Sequence, residues 1–212
     1  MGATFEAHPV RGRLNAGFFT ALDGYLNWLL RDKKHEVFAA LPGQIVEVGP
    51  GVGANFAYMP ARCHLIAVEP NPHMHRGLER RAARRGIDME IRTVTADAID
   101  IDDHSVDAVI SSLLLCTVPD PKCVLSEILR ILRPGGRYAF LEHVAAPEGS
   151  ALRGIQRAMR RPWAWAFEGC SCERDLAAVI RDAGFTFVEI DEYRLRSPFL
   201  PANAQIAGTA IA

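Results

Sequence analysis

The residues best suited to chemistry begin with a glycine-rich loop, Glu47-Val-Gly-Pro-Gly-Val-Gly53. It follows a short β-prone run. Gly49, Gly51 and Gly53 allow a tight turn and let the backbone approach a ligand where a Cβ would collide. Glu69 ends the next β-prone run, twenty positions beyond Gly49. At that distance a carboxylate can accept hydrogen bonds from both hydroxyls of a ribose, so the pair predicts a nucleoside-bearing cofactor. The loop alone leaves alternatives open. Gly49-x-Gly51-x-x-Ala54 also satisfies the nicotinamide-dinucleotide fingerprint, and the same glycines would serve a bare strand-to-helix turn. Two further carboxylates bear on the choice. Glu47 falls inside the first strand, where burial is costly without a cationic ligand or an amide partner. Asp97, in Thr95-Ala-Asp-Ala98, follows the third β run and can reach an adenine edge.

A second group of residues lies later in the chain. His143 follows the fifth β run, whose carboxyl end faces the expected pocket, and is the candidate general base or substrate contact. Its neighbour Glu142 points to the opposite face if the pleat continues, so one of the two is expected to reach the site. Cys170 and the aromatic residues Trp163, Trp165 and Phe167 are candidates for the acceptor side of a pocket, with aromatic packing as the plainer alternative. His73 and His75 stand two apart, but no histidine and carboxylate set accompanies them, and no metal is expected.

The elements that must position these residues alternate. Residues 11–41 read as one or two amphipathic helices, with Leu22, Leu26, Leu29, Leu30, Val37 and Phe38 near helical spacing until Pro42-Gly43. Strands are expected at 44–48, 64–68, 89–94, 106–111 and 137–144. A helix can start over 54–59, and others are expected at 72–85 and 121–132. That rhythm implies βαβ units and a doubly wound, largely parallel α/β sheet. Beyond 145 the order changes to helices at 151–159 and 173–183 around a 163–171 loop. Two β runs, 186–193 and 203–211, then follow as an antiparallel hairpin. The reading is one domain: an N-terminal helical cap (1–43), a cofactor-binding core (44–144) and a substrate-side remainder (145–212).

Composition narrows the class. The chain has 212 residues, 49 % hydrophobic and 23 % charged, with a formal net charge of −1, the profile of a globular domain with no basic surface for nucleic acid. Five arginines between Arg76 and Arg85 lie at helical spacing, as on a solvated helix face. The five cysteines, Cys63, Cys116, Cys123, Cys170 and Cys172, include no CxxC pair and suit free thiols in a reducing compartment. No stretch reaches the ~20 apolar residues of a membrane span, and 1–20, broken by His8, Pro9, Arg11 and Arg13, does not read as a signal peptide. A cytoplasmic location is expected.

Taken together, Glu47–Gly53, Val68-Glu-Pro-Asn71, Asp97, Asp107–Ser112 and Leu132-Arg-Pro-Gly-Gly136 resemble class I S-adenosylmethionine methyltransferases in order and spacing. Within that class, Gly53-Ala-Asn-Phe56, Glu69-Pro-Asn-Pro-His73, Ser112–Val118, Leu141-Glu-His-Val144 and Phe167-Glu-Gly-Cys170 are similar to the methyltransferase-like-seven family, the alkyl thiol methyltransferases, and their small bacterial relatives. The likeness runs from about residue 37 to the end. The animal members carry a hydrophobic membrane anchor, for which this sequence shows no matching run. Ser171 stands where many bacterial relatives have histidine.

The resemblance implies a seven-stranded sheet with its last strand antiparallel and S-adenosylmethionine as cofactor. It implies that Gly49, Gly51 and Gly53 line the methionine part, with Glu69 at the ribose and Pro70 and Asn71 beside the adenine. Asp97 and the Ala98 backbone would meet the adenine amino edge, and the backbone at Ser111 and Ser112 would accept from the methionine ammonium. Glu47 is read as a further cofactor contact. The implied activity is methyl transfer to a small-molecule acceptor, a thiol in the first instance. Other readings are an O-, N- or C-methyltransferase of a secondary metabolite or lipid headgroup, a cofactor-binding protein without catalysis, and a nicotinamide dehydrogenase.

Overall fold

The computed structural model describes residues 9–167 and 169–212, with 9–16 and 18–20 described through their backbone. The first eight residues of the expected cap, His8 among them, and Glu168 of the Phe167–Cys170 motif lie outside the described residues. Helix α1 spans Pro9–Val37 without a break, so the expected one or two helices are one. Strands β1 (Gln44–Val48), β2 (His64–Val68), β3 (Asp88–Arg92), β4 (Val106–Ser112) and β5 (Leu132–His143) alternate with helices α2 (Pro72–Arg85) and α3 (Pro121–Ile131). Helices α4 (Ala151–Ala166) and α5 (Leu176–Arg181) then precede β6 (Phe187–Arg194) and β7 (Ala204–Ile211).

The seven strands form one sheet in the order β3-β2-β1-β4-β5-β7-β6. The strands β1 to β5 pair in parallel, while β7 runs antiparallel to both β5 and β6. The antiparallel hairpin expected from the sequence is present, with β7 inserted between β5 and the edge strand β6. The order of strands reverses between β1 and β4, and a ligand crevice belongs at the carboxyl ends of those neighbours.

Alternation along each strand builds the two faces. Val46 and Val48 of β1 pack with Val124, Leu125 and Ile128 of α3 and Leu176 and Ile180 of α5. Ile45 faces the other way, toward Leu30 of α1 and Met74 and Leu78 of α2. Glu47 shares the parity of Ile45 and therefore looks toward α1, a placement that decides its partners.

Local signals fix the helix ends. Asn71 caps α2 by accepting from the His73 amide at 3.1 Å, with Pro72 in the first turn, and Gly86 closes it at φ +66°. Asp120 caps α3, Ser150 caps α4 and Asp175 caps α5 in the same way. The cap at Asp175 makes α5 start later than the expected 173.

Other bounds moved for tertiary reasons. Residues 54–59 hold only a short 3-10 turn, Phe56–Tyr58. Strand β5 begins at Leu132, which pairs with Val106 ahead of a register shift. Helix α4 continues through Pro162, because Trp163 packs against the core and stacks on Phe167 at 4.2 Å; this packing offsets the hydrogen bond that proline removes. Trp163, expected in a loop, is therefore helical.

Candidate active site

A cavity of about 480 Å³ opens at the carboxyl ends of β1, β2 and β4, with α1 along one side. Gly49, Pro50 and Gly51 form one edge, Glu69, Pro70, Asn71 and Asp97 a second, and Ser112 to Leu114 a third. The switch point has thus become a pocket.

The glycine loop earns its residues unevenly. Gly49 has φ +69°, and a Cβ there would fall 2.6 Å from Leu114 Cδ1. Gly51 has φ +56° and gives its amide to Glu69 Oε2 at 3.0 Å. Gly53, expected to line the methionine part, lies outside this cavity's lining. At φ +77° it closes a turn on Pro50 and packs against Phe56 and Arg81.

On the second edge, the Glu69 side chain also accepts from the Asn71 amide at 2.9 Å, so the carboxylate is held by two backbone donors. Asn71 Nδ2 is buried without a hydrogen-bond partner among the described residues. Asp97 lines the cavity, but Ala98 is exposed outside it and its amide donates to the Thr95 carbonyl at 3.1 Å.

Behind the opposite end lies a buried polar group: Asn55 lines the cavity, but Glu47, read from the sequence as a cofactor contact, stands behind it and does not. Glu47 is fully buried, and its Oε1 accepts from Asn55 Nδ2 at 2.7 Å. Asn55 Nδ2 also reaches Ser112 Oγ at 3.1 Å. Glu47 Oε2 and Asn55 Oδ1 have no hydrogen-bond partner among the described residues. Burial pushes the Glu47 carboxyl up to about 7, against the hydrogen bond from Asn55 and the charge of Lys34. Ser111 turns its hydroxyl away, to Tyr138 at 2.8 Å, and does not line the cavity.

Lys34 is the residue that sequence reasoning missed. It lines the cavity from α1, is 2 % exposed, and donates to Asn27 Oδ1 at 2.9 Å. Burial lowers its ammonium to about 8. A lysine inside a helix rich in charged residues reads as solvated surface; only the docking of α1 against α2, β5 and β7 buries it. Asp23, also on the wall, pairs with Arg81 at 2.8 Å.

These groups fit the cofactor at both ends. Glu69 and Asn71 present acceptor and donor capacity for a ribose and base, and the spare oxygen of Asn55, with Lys34 on the same wall, matches an ammonium and a carboxylate. Between them Leu26, Leu30, Leu113, Val118 and Phe167 make an apolar wall.

His143, Cys170 and Trp163 are not brought to this cavity. They form a separate buried cluster behind Thr117 and Phe167. His143 Nε2 stands 3.0 Å from Cys170 Sγ, and Trp163 Nε1 donates to that sulfur at 3.1 Å. Glu142 also stays inside, where its Oε1 accepts from the amides of Leu114 and Leu115 at 2.9 and 3.0 Å. The expectation that one of the pair reaches the pocket gives way because β5 ends at His143 and the 113–117 turn and the 169–172 loop cover both.

Fold and site define a class I S-adenosylmethionine-dependent methyltransferase. The sequence profile of the methyltransferase domain family matches residues 46–140. The human thiol S-methyltransferase TMT1B is 32 % identical over 196 residues, covering 87 % of this chain and 80 % of that protein. Human TMT1A is 30 % identical with the same coverage. Among solved structures, a SAM-dependent methyltransferase from Thermotoga maritima superposes with a TM-score of 0.63 at 19 % identity, covering 91 % of this chain and 99 % of that one. The chain belongs to the family of these thiol S-methyltransferases. No helix among the described residues is long and apolar enough to cross a membrane.

Proposed function

We propose that this enzyme methylates the sulfur of a small-molecule thiol. The observation that carries the reading is an acceptor wall of Leu26, Leu30, Leu113, Val118 and Phe167, in a cavity that no histidine lines among the described residues. An alcohol needs a positioned base; a thiol ionises by itself near pH ~8.5 and reaches the thiolate with little help. Kinship with proteins named thiol S-methyltransferases supports the same acceptor.

In this reading Glu69 holds the ribose hydroxyls, Asn71 and Asp97 the base, Asn55, itself held from behind by Glu47, the methionine ammonium, and Lys34 the methionine carboxylate. When bound, S-adenosylmethionine supplies a sulfonium-activated methyl group. The protein orients the acceptor against the apolar wall and excludes water, and such positioning is worth roughly 7–11 kcal/mol where alignment is good. No covalent enzyme intermediate is needed, and the five cysteines are free, which suits a reducing cytoplasm.

The test is transfer of label from S-adenosylmethionine to two alkyl thiols, a catechol, a phenol and an amine. Label in the thiols alone is expected. Label only in an oxygen or nitrogen acceptor refutes the thiol assignment and leaves the cofactor site standing.

A further inference from the structure

Behind the acceptor wall, three possible metal ligands meet in the core. Cys116 Sγ, His143 Nε2 and Cys170 Sγ lie within 4.8 Å of one another, and all three residues are buried. They come from separate parts of the chain: the turn after β4, the end of β5 and the loop after α4. Cys170 Sγ is 3.9 Å from Cys116 Sγ and 3.0 Å from His143 Nε2. Cys172, two residues beyond Cys170 in the same loop, is also buried.

We propose that this cluster is a zinc site, with Cys116, His143 and Cys170 as ligands and Cys172 in the fourth position. The ligand set is Cys3His, one of the closed tetrahedral sets of structural zinc. Bond lengths of about 2.3 Å to sulfur and about 2.0 Å to nitrogen place tetrahedral neighbours about 3.8 Å apart for two sulfurs and about 3.5 Å for sulfur and nitrogen. The two cysteines already stand at that separation. The histidine needs to open by roughly half an ångström from Cys170, and Cys172 needs to turn its thiol toward the other ligands. Trp163 Nε1–H, donating to Cys170 Sγ at 3.1 Å, is the outer-shell hydrogen bond that holds a thiolate ligand in place.

Binding costs each ligating thiol its proton, which passes to solvent, while the imidazole coordinates as the neutral base. The consequence falls on the acceptor side. Cys116 precedes Thr117, and Cys170 follows Phe167 by three residues; Thr117 and Phe167 both line the cavity. The metal therefore clamps the wall against which the acceptor lies, whatever that acceptor is.

The experiment uses the full chain purified under reducing conditions, with zinc measured by elemental mass spectrometry and Co2+ then loaded in its place. One metal equivalent per chain is expected, with thiolate-to-cobalt charge transfer in the near ultraviolet and tetrahedral d–d bands in the visible. Cys170→Ser should lose both. Cys172→Ser should lose about one third of the charge-transfer intensity, and exposed Cys123→Ser should keep all of it. Folded wild-type protein that binds S-adenosylmethionine yet holds no zinc and gives no cobalt–thiolate band overturns the site, independently of the cavity and its thiol acceptor. An unchanged band in Cys172→Ser removes Cys172 from the ligand set.

Discussion

Glu47→Gln tests the electrostatics of the buried carboxylate behind Asn55. The wild-type carboxyl is fully buried, with one oxygen bonded to Asn55 and one without a partner among the described residues. Burial raises it from 4.5 to about 7. Between those values the folded state holds a proton that the unfolded chain has released, so stability falls as pH rises through the window and the penalty is complete above the folded value. Glutamine keeps the acceptor for Asn55 but cannot titrate. Relative to wild type, the variant should therefore gain roughly 2–3 kcal/mol of stability between pH 5 and pH 8. Any constant offset, from placing an amide where Oε2 lies, leaves that slope intact. Urea denaturation of both proteins across this range, without cofactor, measures it. A stability difference that stays flat with pH refutes the raised carboxyl, and one that runs the other way places a stronger cation beside Glu47 than Lys34 provides.

Other perturbations address neighbouring parts of the site and fold. Lys34→Met should weaken S-adenosylmethionine by roughly tenfold or more, the scale of a lost hydrogen bond to a charged group; unchanged affinity by calorimetry removes Lys34 from the methionine carboxylate. Glu69→Ala should cost roughly 1–3 kcal/mol of cofactor affinity, and titration showing no loss refutes the ribose assignment. Gly208→Ala would put a Cβ 2.0 Å from the Glu189 carbonyl oxygen, so β6 and β7 must separate. Thermal and urea melts should report roughly 3 kcal/mol of destabilisation, and a wild-type melting curve would contradict the close strand approach.

The sequence by itself determined which residues meet at the edge of the cavity. Gly49, Gly51, Glu69 and Asp97 sit on the ends of consecutive β runs, and a parallel sheet gathers such ends on one side whatever the details of packing. The β6–β7 hairpin was legible for the same local reason, two strands with no helix between them. What the tertiary structure decided is whatever depends on which segments cover those ends. Lys34 reads as solvated until α1 packs against α2, β5 and β7 and buries it near Glu47. Gly53 and Ala98 are in the right motifs, yet local turns spend their backbone on Pro50 and Thr95 rather than on the cavity. His143 and Cys170 stand 27 residues apart and Cys116 another 27 earlier; no spacing rule joins them, because only the folding of the 169–172 loop over the end of β5 brings sulfur and imidazole together. Periodicity and turn chemistry are properties of a few neighbouring residues, whereas burial and long-range pairing belong to the packed chain.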